Sequence, residues 1–211
     1  MTNKPPDLLY ATFSLISLLI LIIMRQLETD MAEQIFAATE RLMAEKGLHN
    51  LSMHKIAKEA KISPGTIYIY FKSKDELLEQ FARRLFSLFS VELERHYDET
   101  RSYFAQYRQM WWNIWLFLQN NPRTVLNMSQ YQSLPHFYEI CTELEHKSLW
   151  NRFCQKGIQA MVLADLPMQI LFSLGLGSAI NLAFDRIFFK QELSDEMLEA
   201  VIERTWRAIQ K

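Results

Sequence analysis

Residues 52–77 read SMHKIAKEAKISPGTIYIYFKSKDEL, and the chemistry they offer is recognition of a polyanion. The hydroxyls of Ser52, Ser63, Thr66, Tyr68 and Tyr70 can reach phosphate oxygens or base edges, while Pro64 and Gly65 are short enough to let the backbone come close. Lys46, Lys55, Lys58, Lys61, Lys72 and Lys74 stand against Glu59, Asp75 and Glu76. Residues 46–76 are therefore +3, which leaves −4 on the rest of a chain whose total is −1. Each phosphate neutralised by such lysines steepens the log–log salt dependence of duplex binding by about 0.9. The elements that must hold these groups are two short helices. Ser52 is placed to cap a helix running to about Ala60, and Ser63-Pro64 supplies a cap and a first-turn proline for a helix through Tyr70. Ile56, Ala57, Ile62, Ile67 and Phe71 are spaced to share a small core, a helix-turn-helix pattern whose second helix is built like a recognition helix, its N-terminal dipole facing phosphates. The aromatics Tyr68, Tyr70 and Phe71 could all be core residues. Phe71 is assigned there, whereas Tyr68 and Tyr70, which bracket Ile69, are assigned to the phosphate side.

The surrounding chain reads as helix throughout. Ala32 to Lys46 carries apolar residues at helical spacing with Gly47 as its stop, and Ser73 with Glu76 forms a capping box for a long fourth helix through Leu88. Further helices are expected at 100–119, 122–131, 135–160, 167–190 and 194–210, bounded by Asn-Pro, Leu-Pro and Leu-Ser-Asp signals. No segment alternates with period two. The 211 residues, 49% hydrophobic and 22% charged with 5 Gly and 6 Pro, exclude collagen-like, low-complexity and broadly disordered classes. Cys141 and Cys154 are too few for a disulfide framework and fit a reducing cytoplasm, although one bridge is compatible with the count.

Residues 8–24, LLYATFSLISLLILIIM, carry no charge and as a helix would span about 25 Å, just under a bilayer core. They lack the flanks of a secretory signal. Three readings stand: an upstream stretch that translation from Met24 or Met31 would omit, a membrane anchor, or a helix packed on the protein. Residues 1–31 are accordingly set apart as an apolar extension, and a membrane is a partner only if 8–24 is translated and inserted.

Ile56-Ala57-Lys58-Glu59-Ala60, Ile62-Ser63-Pro64-Gly65-Thr66-Ile67-Tyr68 and Tyr70-Phe71-Lys72-Ser73-Lys74-Asp75-Glu76-Leu77 together resemble the N-terminal domain of TetR-type transcriptional repressors. The resemblance implies an all-α fold in which a three-helix helix-turn-helix domain, residues 32–75, is joined by a linking helix to an all-helical ligand-binding and dimerisation domain, residues 76–211. It implies that Ser52, Ser63, Gly65, Thr66, Tyr68, Tyr70 and Lys74 occupy positions that touch double-stranded DNA, Tyr70 and Lys74 mainly at phosphates; Pro64 joins them from its place at the helix start. Two departures stand out. Lys61 occupies a turn position that is usually glycine, where a left-handed conformation costs roughly 1 kcal/mol. Pro64 replaces a commonly basic residue and offers no donor to a base.

In the C-terminal part Phe104, Tyr107, Trp111, Ile114, Trp115 and Leu118 share one helical face, with Trp112 and Leu116 off it. The off-stripe pair, with Tyr131, Phe137 and Phe153, is the candidate lining of a site for a small lipophilic effector. Residues 166–184 are uncharged, but Gln169, Ser173, Ser178 and Asn181 dilute the run, and it reads as a packing helix rather than a span. With the amphipathic helix that follows, it is expected to form a homodimer interface through Leu171, Leu174, Gly175, Ser178, Leu182, Leu198, Val201, Ile202 and Thr205. His136, Cys141, His146 and Cys154 lack zinc-site spacing, and neither a metal nor another cofactor is expected. With no Walker loop, G-x-S-x-G or H-E-x-x-H, no enzyme is expected either. The leading reading is a homodimeric, effector-released repressor in the cytoplasm; the alternative is a membrane-associated helical binding protein whose helix-turn-helix is structural.

Overall fold

The computed structural model describes residues 30–145 and 148–211. The segment 8–24, and with it the choice among its three readings, lies outside the described residues. Among those described, the secondary structure is helical, eleven α-helices with a single 3-10 turn at Leu48–Asn50 and an isolated bridge between Leu163 and Gln210. The chain divides into two compact units, one ending at Lys74 and the other beginning at Asp75.

In the first unit, α1 (30–46) buries Ile35, Phe36, Ala38, Thr39, Leu42 and Met43, the stripe that a 3.6-residue period demands. The hydroxyl of Thr39, otherwise costly at 0% exposure, donates to the Ile35 carbonyl at 2.9 Å. Gly47 ends α1 at φ 80°, its N–H bonded to Met43 O. Helix α2 (Met53–Glu59) buries Met53, Ile56 and Ala57, and α3 (Pro64–Tyr70) buries Ile67 and is followed by buried Phe71, whose ring lies 5.4 Å from that of Phe36. Gln34 Nε2 donates to Ala60 O at 2.6 Å and Arg41 pairs with Glu59 at 2.7 Å, tying α1 to the end of α2.

The second unit holds α4 (Lys74–Leu93, from its second residue onward), α5 (Tyr103–Asn120), α6 (Pro122–Tyr131), α7 (Phe137–Glu145), α8 (Leu149–Gln159), α9 (Met168–Leu174), α10 (Gly177–Phe189) and α11 (Asp195–Ile209). Helix α5 is its centre. Tyr107, Met110, Trp111, Ile114 and Leu118 are all essentially inaccessible, and α6, α10 and α11 pack around them. The polar atoms of these large rings are paired internally, Trp111 Nε1 donating to Ser178 Oγ at 2.8 Å and Tyr107 OH lying 2.7 Å from Thr205 Oγ1.

Two expected helices are each broken in two. Within 135–160 the chain leaves the helix before Ser148, which is extended at φ −69°, ψ 146° and accepts from Asn151 N at 3.2 Å, so an N-cap overrides the continuing apolar period. Within 167–190 the break falls at Gly175 (φ −105°, ψ −98°), where an added Cβ would stand 3.0 Å from Leu171 O and 3.2 Å from the Tyr107 ring. No single helix among the described residues is long and apolar enough to cross a membrane. The pair α9–α10 reaches that length and composition only together, bent by 41°. Its Leu171, Leu176, Ala179 and Ala183 belong to the core of the unit.

Cys141 and Cys154 are free thiols. Burial pushes the Cys154 thiol up to about 12, which leaves almost no thiolate at neutral pH. A thiol reagent is expected to label Cys154 only after denaturant unfolds the second unit, read by mass spectrometry of the digested protein; rapid labelling of that residue in the native protein would contradict its burial.

Candidate functional site

The turn between α2 and α3 sets the geometry of the exposed helix. Lys61 N bonds to Lys58 O at 3.1 Å and Ile62 N to Ala57 O at 3.0 Å, the paired bonds of a Schellman motif with Lys61 at its left-handed position, φ 57°. A lysine there carries the Cβ strain that glycine avoids. Lys61→Gly is expected to raise unfolding stability by about 0.5–1 kcal/mol, the left-handed penalty less the extra chain entropy of glycine. The readout is a higher urea midpoint at unchanged slope; a lower midpoint would show that the lysine side chain outweighs the strain.

Across that turn, Ser63 is extended (φ −68°, ψ 151°), and its hydroxyl accepts from Thr66 N at 3.0 Å and lies 2.8 Å from Thr66 Oγ1. Ser52 does the same for α2, accepting from Lys55 N at 3.3 Å. Both serines thus have capping duties, each still leaving hydroxyl capacity for an outside partner. The register set by Ser63-Pro64 turns Ile67 inward and leaves Pro64, Gly65, Tyr68 and Ile69 outward, Tyr68 at 54% and Ile69 at 79% exposure, with Thr66 and Tyr70 half-buried. Lys46, Lys55, Lys58, Lys61 and Lys72 are exposed in the same unit and Lys74 is half-buried, Lys55 Nζ donating to Asn50 O at 2.8 Å. Of the residues nominated from sequence, this unit holds Ser52, Ser63, Pro64, Gly65, Thr66, Tyr68, Tyr70 and Lys74, all with exposed or half-exposed side chains or backbone. Ile69 was missed. Its signal was present: two positions from the buried Ile67 is about 200° around a helix, which puts it opposite the core stripe.

The second unit contains a cavity of 330 Å³ walled by Leu85, Phe86 and Phe89 of α4, Phe117 of α5, Met128 and Tyr131 of α6, Phe137 at the start of α7, Phe172 of α9 and Ile180 of α10. A second hollow of 560 Å³ adjoins it across Phe86, Phe89, Gln132 and Phe172 and runs toward Trp150, Asn151 and Met168. Tyr131 and Phe137 from the sequence reading are in the lining. Trp112, Leu116 and Phe153 are placed elsewhere. Trp112 Nε1 donates to Glu199 at 2.9 Å, Leu116 faces out, and Phe153 stacks on Trp150 within the core, 5.5 Å between centroids. The off-stripe position of Trp112 is explained by that bond: the Arg108 guanidinium, opposed by burial and helped by the indole, holds the Glu199 carboxyl below the usual range. The residues missed, Phe86, Phe89 and Phe172, sit on helices whose apolar pattern reads as core from sequence.

Of the expected dimer residues, Leu171, Gly175, Leu198 and Ile202 are buried within the unit, leaving no side-chain surface for a partner. Ser178 and Thr205 are half-buried and bonded to Trp111 and Tyr107, and Leu182 and Val201 are half-buried. Leu174 is exposed, as are Ile170, Met197 and, on α10, the stacked pair Phe184 and Phe188, 4.0 Å between centroids, with Phe189 beyond.

Two short capped helices across a Schellman turn, with a tyrosine- and lysine-rich outer surface ahead of a helical unit with an apolar cavity, define a helix-turn-helix regulator. Residues 35–81 match the family model of bacterial regulatory proteins of the tetR family, and residues 102–210 match that of the tetracyclin repressor-like C-terminal domain. An uncharacterized HTH-type transcriptional regulator of Haemophilus influenzae is 57% identical over 188 residues, 89% of this chain and 100% of its own length. The crystal structure of a TetR-family transcriptional regulator from Haemophilus influenzae, 57% identical, superposes with a TM-score of 0.83 over 88% of this chain and 100% of that one. The chain belongs to the TetR family of transcriptional regulators. At 22% identity, a regulator FadR from Bacillus subtilis, crystallised with stearoyl-CoA, shares the fold, with a TM-score of 0.67 over 84% of this chain and 98% of that one.

Proposed function

We propose that this regulator is a homodimeric repressor that binds a near-palindromic operator through Ser52, Ser63, Pro64, Gly65, Thr66, Tyr68, Tyr70 and Lys74, and is released by a small lipophilic effector. The observation that carries DNA binding is the outward face of α3, Gly65, Tyr68 and Ile69, in a unit whose exposed lysines make residues 46–76 net positive. Pairing supports the dimer: Ile170, Leu174, Phe184 and Phe188 leave an apolar strip along α9 and α10 for a second copy. Two heads of seven-residue recognition helices then sum their binding energies. A protein acting on its own genome works in the cytoplasm.

The effector reading rests on the cavity. Its 330 Å³ lies in the range of small-molecule sites, and among the described residues lining it and its neighbour none is charged. A long apolar chain suits the phenylalanine walls, and Asn151, 6% exposed, has its Oδ1 buried at the second hollow without a hydrogen bond, an acceptor for a head group that carries an O–H or N–H. The stearoyl-CoA held by the Bacillus subtilis protein of the same fold makes a long-chain acyl group the first probe.

The test is fluorescence anisotropy with labelled duplex from upstream of the gene that encodes the chain, random duplex as competitor, two salt concentrations, and stearoyl-CoA or stearic acid added last. Competition-resistant binding that the acyl probe weakens about tenfold is expected, a coupling of about 1.4 kcal/mol that must appear equally as weaker probe binding to the DNA-bound protein. Binding no tighter than to random duplex would overturn the operator reading. Operator affinity unchanged while the probe demonstrably binds would overturn its role as effector.

A further inference from the structure

We infer that α3 reads its half-site through thymine methyl groups and not through the hydrogen-bonding edge of guanine or adenine, with Ile69 as the specificity-determining residue. The inference rests on the proposed DNA-binding reading and concerns only what that helix can distinguish.

The sequence of α3 is PGTIYIY. It contains no Arg or Lys to grip guanine N7 and O6, no Asn or Gln to grip adenine N6 and N7, and no carboxylate to accept from cytosine N4. Of its side chains, Ile67 is spent on the core at 0% exposure, and the Thr66 hydroxyl, bonded to Ser63 Oγ at 2.8 Å, can donate or accept toward any base and so distinguishes little. The tyrosine hydroxyls of Tyr68 and Tyr70 can each donate or accept once, which suits a phosphate and discriminates poorly between bases. What remains is apolar, Pro64 at the helix start and Ile69, and Ile69 is the larger. At 79% exposure it is the most exposed large aliphatic side chain of the described residues, and nothing in its own unit covers it. The occupant that fits is a duplex groove. The lysine-rich surroundings are complementary to phosphate, and the 5-methyl of thymine is the apolar group that the major groove presents at base height.

The experiment uses the full chain and a random duplex library, with selection, sequencing, and resynthesis of the enriched duplex carrying deoxyuridine in place of deoxythymidine one position at a time. Uracil keeps every hydrogen-bonding group of thymine and lacks only the methyl. At one or two positions in each half-site the change is expected to weaken binding about fourfold, the effect of burying one methyl group. In Ile69→Ala the same positions should become insensitive to the methyl, while sensitivity elsewhere persists. Ile69 is too exposed for its truncation to unfold the unit, and a circular-dichroism melt checks this.

Enrichment of sites with G·C at every well-defined position would overturn the inference while leaving the regulator reading intact, as would uracil tolerated everywhere or methyl sensitivity identical in wild type and Ile69→Ala. Failure to enrich any sequence would overturn both.

Discussion

Replacing Tyr70 and Lys74 together by alanine is expected to lower operator affinity about 100-fold while leaving sequence preference unchanged. The two residues flank buried Phe71, one at the last turn of α3 and the other at the first residue of α4, and both are half-exposed. A hydrogen bond to a charged phosphate contributes about 1.5–3 kcal/mol. Allowing for water that replaces more than half of each contact, about 0.7 kcal/mol per residue and so about 1.4 kcal/mol, or tenfold, is lost per head. In a dimer whose heads bind one operator the loss counts twice, giving the hundredfold figure. Removing one lysine–phosphate pair per head should also reduce the log–log salt slope by nearly 2, at about 0.9 per phosphate. The slope separates this from misfolding, which lowers the active fraction without changing it. Tyr70→Phe, which keeps the ring and removes only the hydroxyl, isolates that contact. An unchanged salt slope for the double variant would refute the phosphate assignment.

Legibility followed how local each signal was. Capping by Ser52 and Ser63, the first-turn Pro64, the Gly47 stop and the inward stripe of α1 are written within four or five residues of the feature they fix, and the first unit could be read almost to the residue. The same kind of signal was present at Ser148 but was masked by an apolar period that continues on both sides of it. At the break, Gly175 has no room for a Cβ beside Leu171 O and the ring of Tyr107, 68 positions earlier, and no window of sequence contains the second of these contacts. The cavity is the extreme case. Phe86, Phe117, Phe137 and Phe172 come from four helices, and each satisfies the core pattern of its own helix as well as a lining residue would. Periodicity tells which face of a helix turns inward; it is silent on whether that face meets another side chain or a space. The same limit affected the dimer residues. Leu171, Leu198 and Ile202 lie on the apolar faces that the period selects, and those faces are taken up by the unit's own core, while Leu174, Phe184 and Phe188 stay exposed.

Gly65→Ala is expected to make the protein more stable and a poorer regulator, and the opposite signs are the point. Glycine inside a helix is unfavourable by about 0.8–1 kcal/mol relative to alanine. Here nothing in the fold demands it: Gly65 is not among the residues with positive φ, and an added Cβ would meet only Ser63 Oγ, at an ordinary 3.7 Å. The urea midpoint should therefore rise by the equivalent of somewhat under 1 kcal/mol, since Gly65 lies in the first turn of α3 where the preference is weaker. A residue that costs stability without an internal reason is explained by something outside the chain coming close. Gly65 is exposed beside Pro64 on the outward side of α3, where the backbone would approach the groove. A methyl forced into a packed contact costs about 1–3 kcal/mol, so each head should lose roughly tenfold in affinity and the two-headed complex nearly 100-fold. Unlike the Tyr70 and Lys74 changes, this loss should leave the salt slope intact, because no phosphate partner is removed. Stability and operator binding rising together in Gly65→Ala would mean that α3 stands away from the duplex at that end, and the register proposed for the whole recognition helix would have to be shifted.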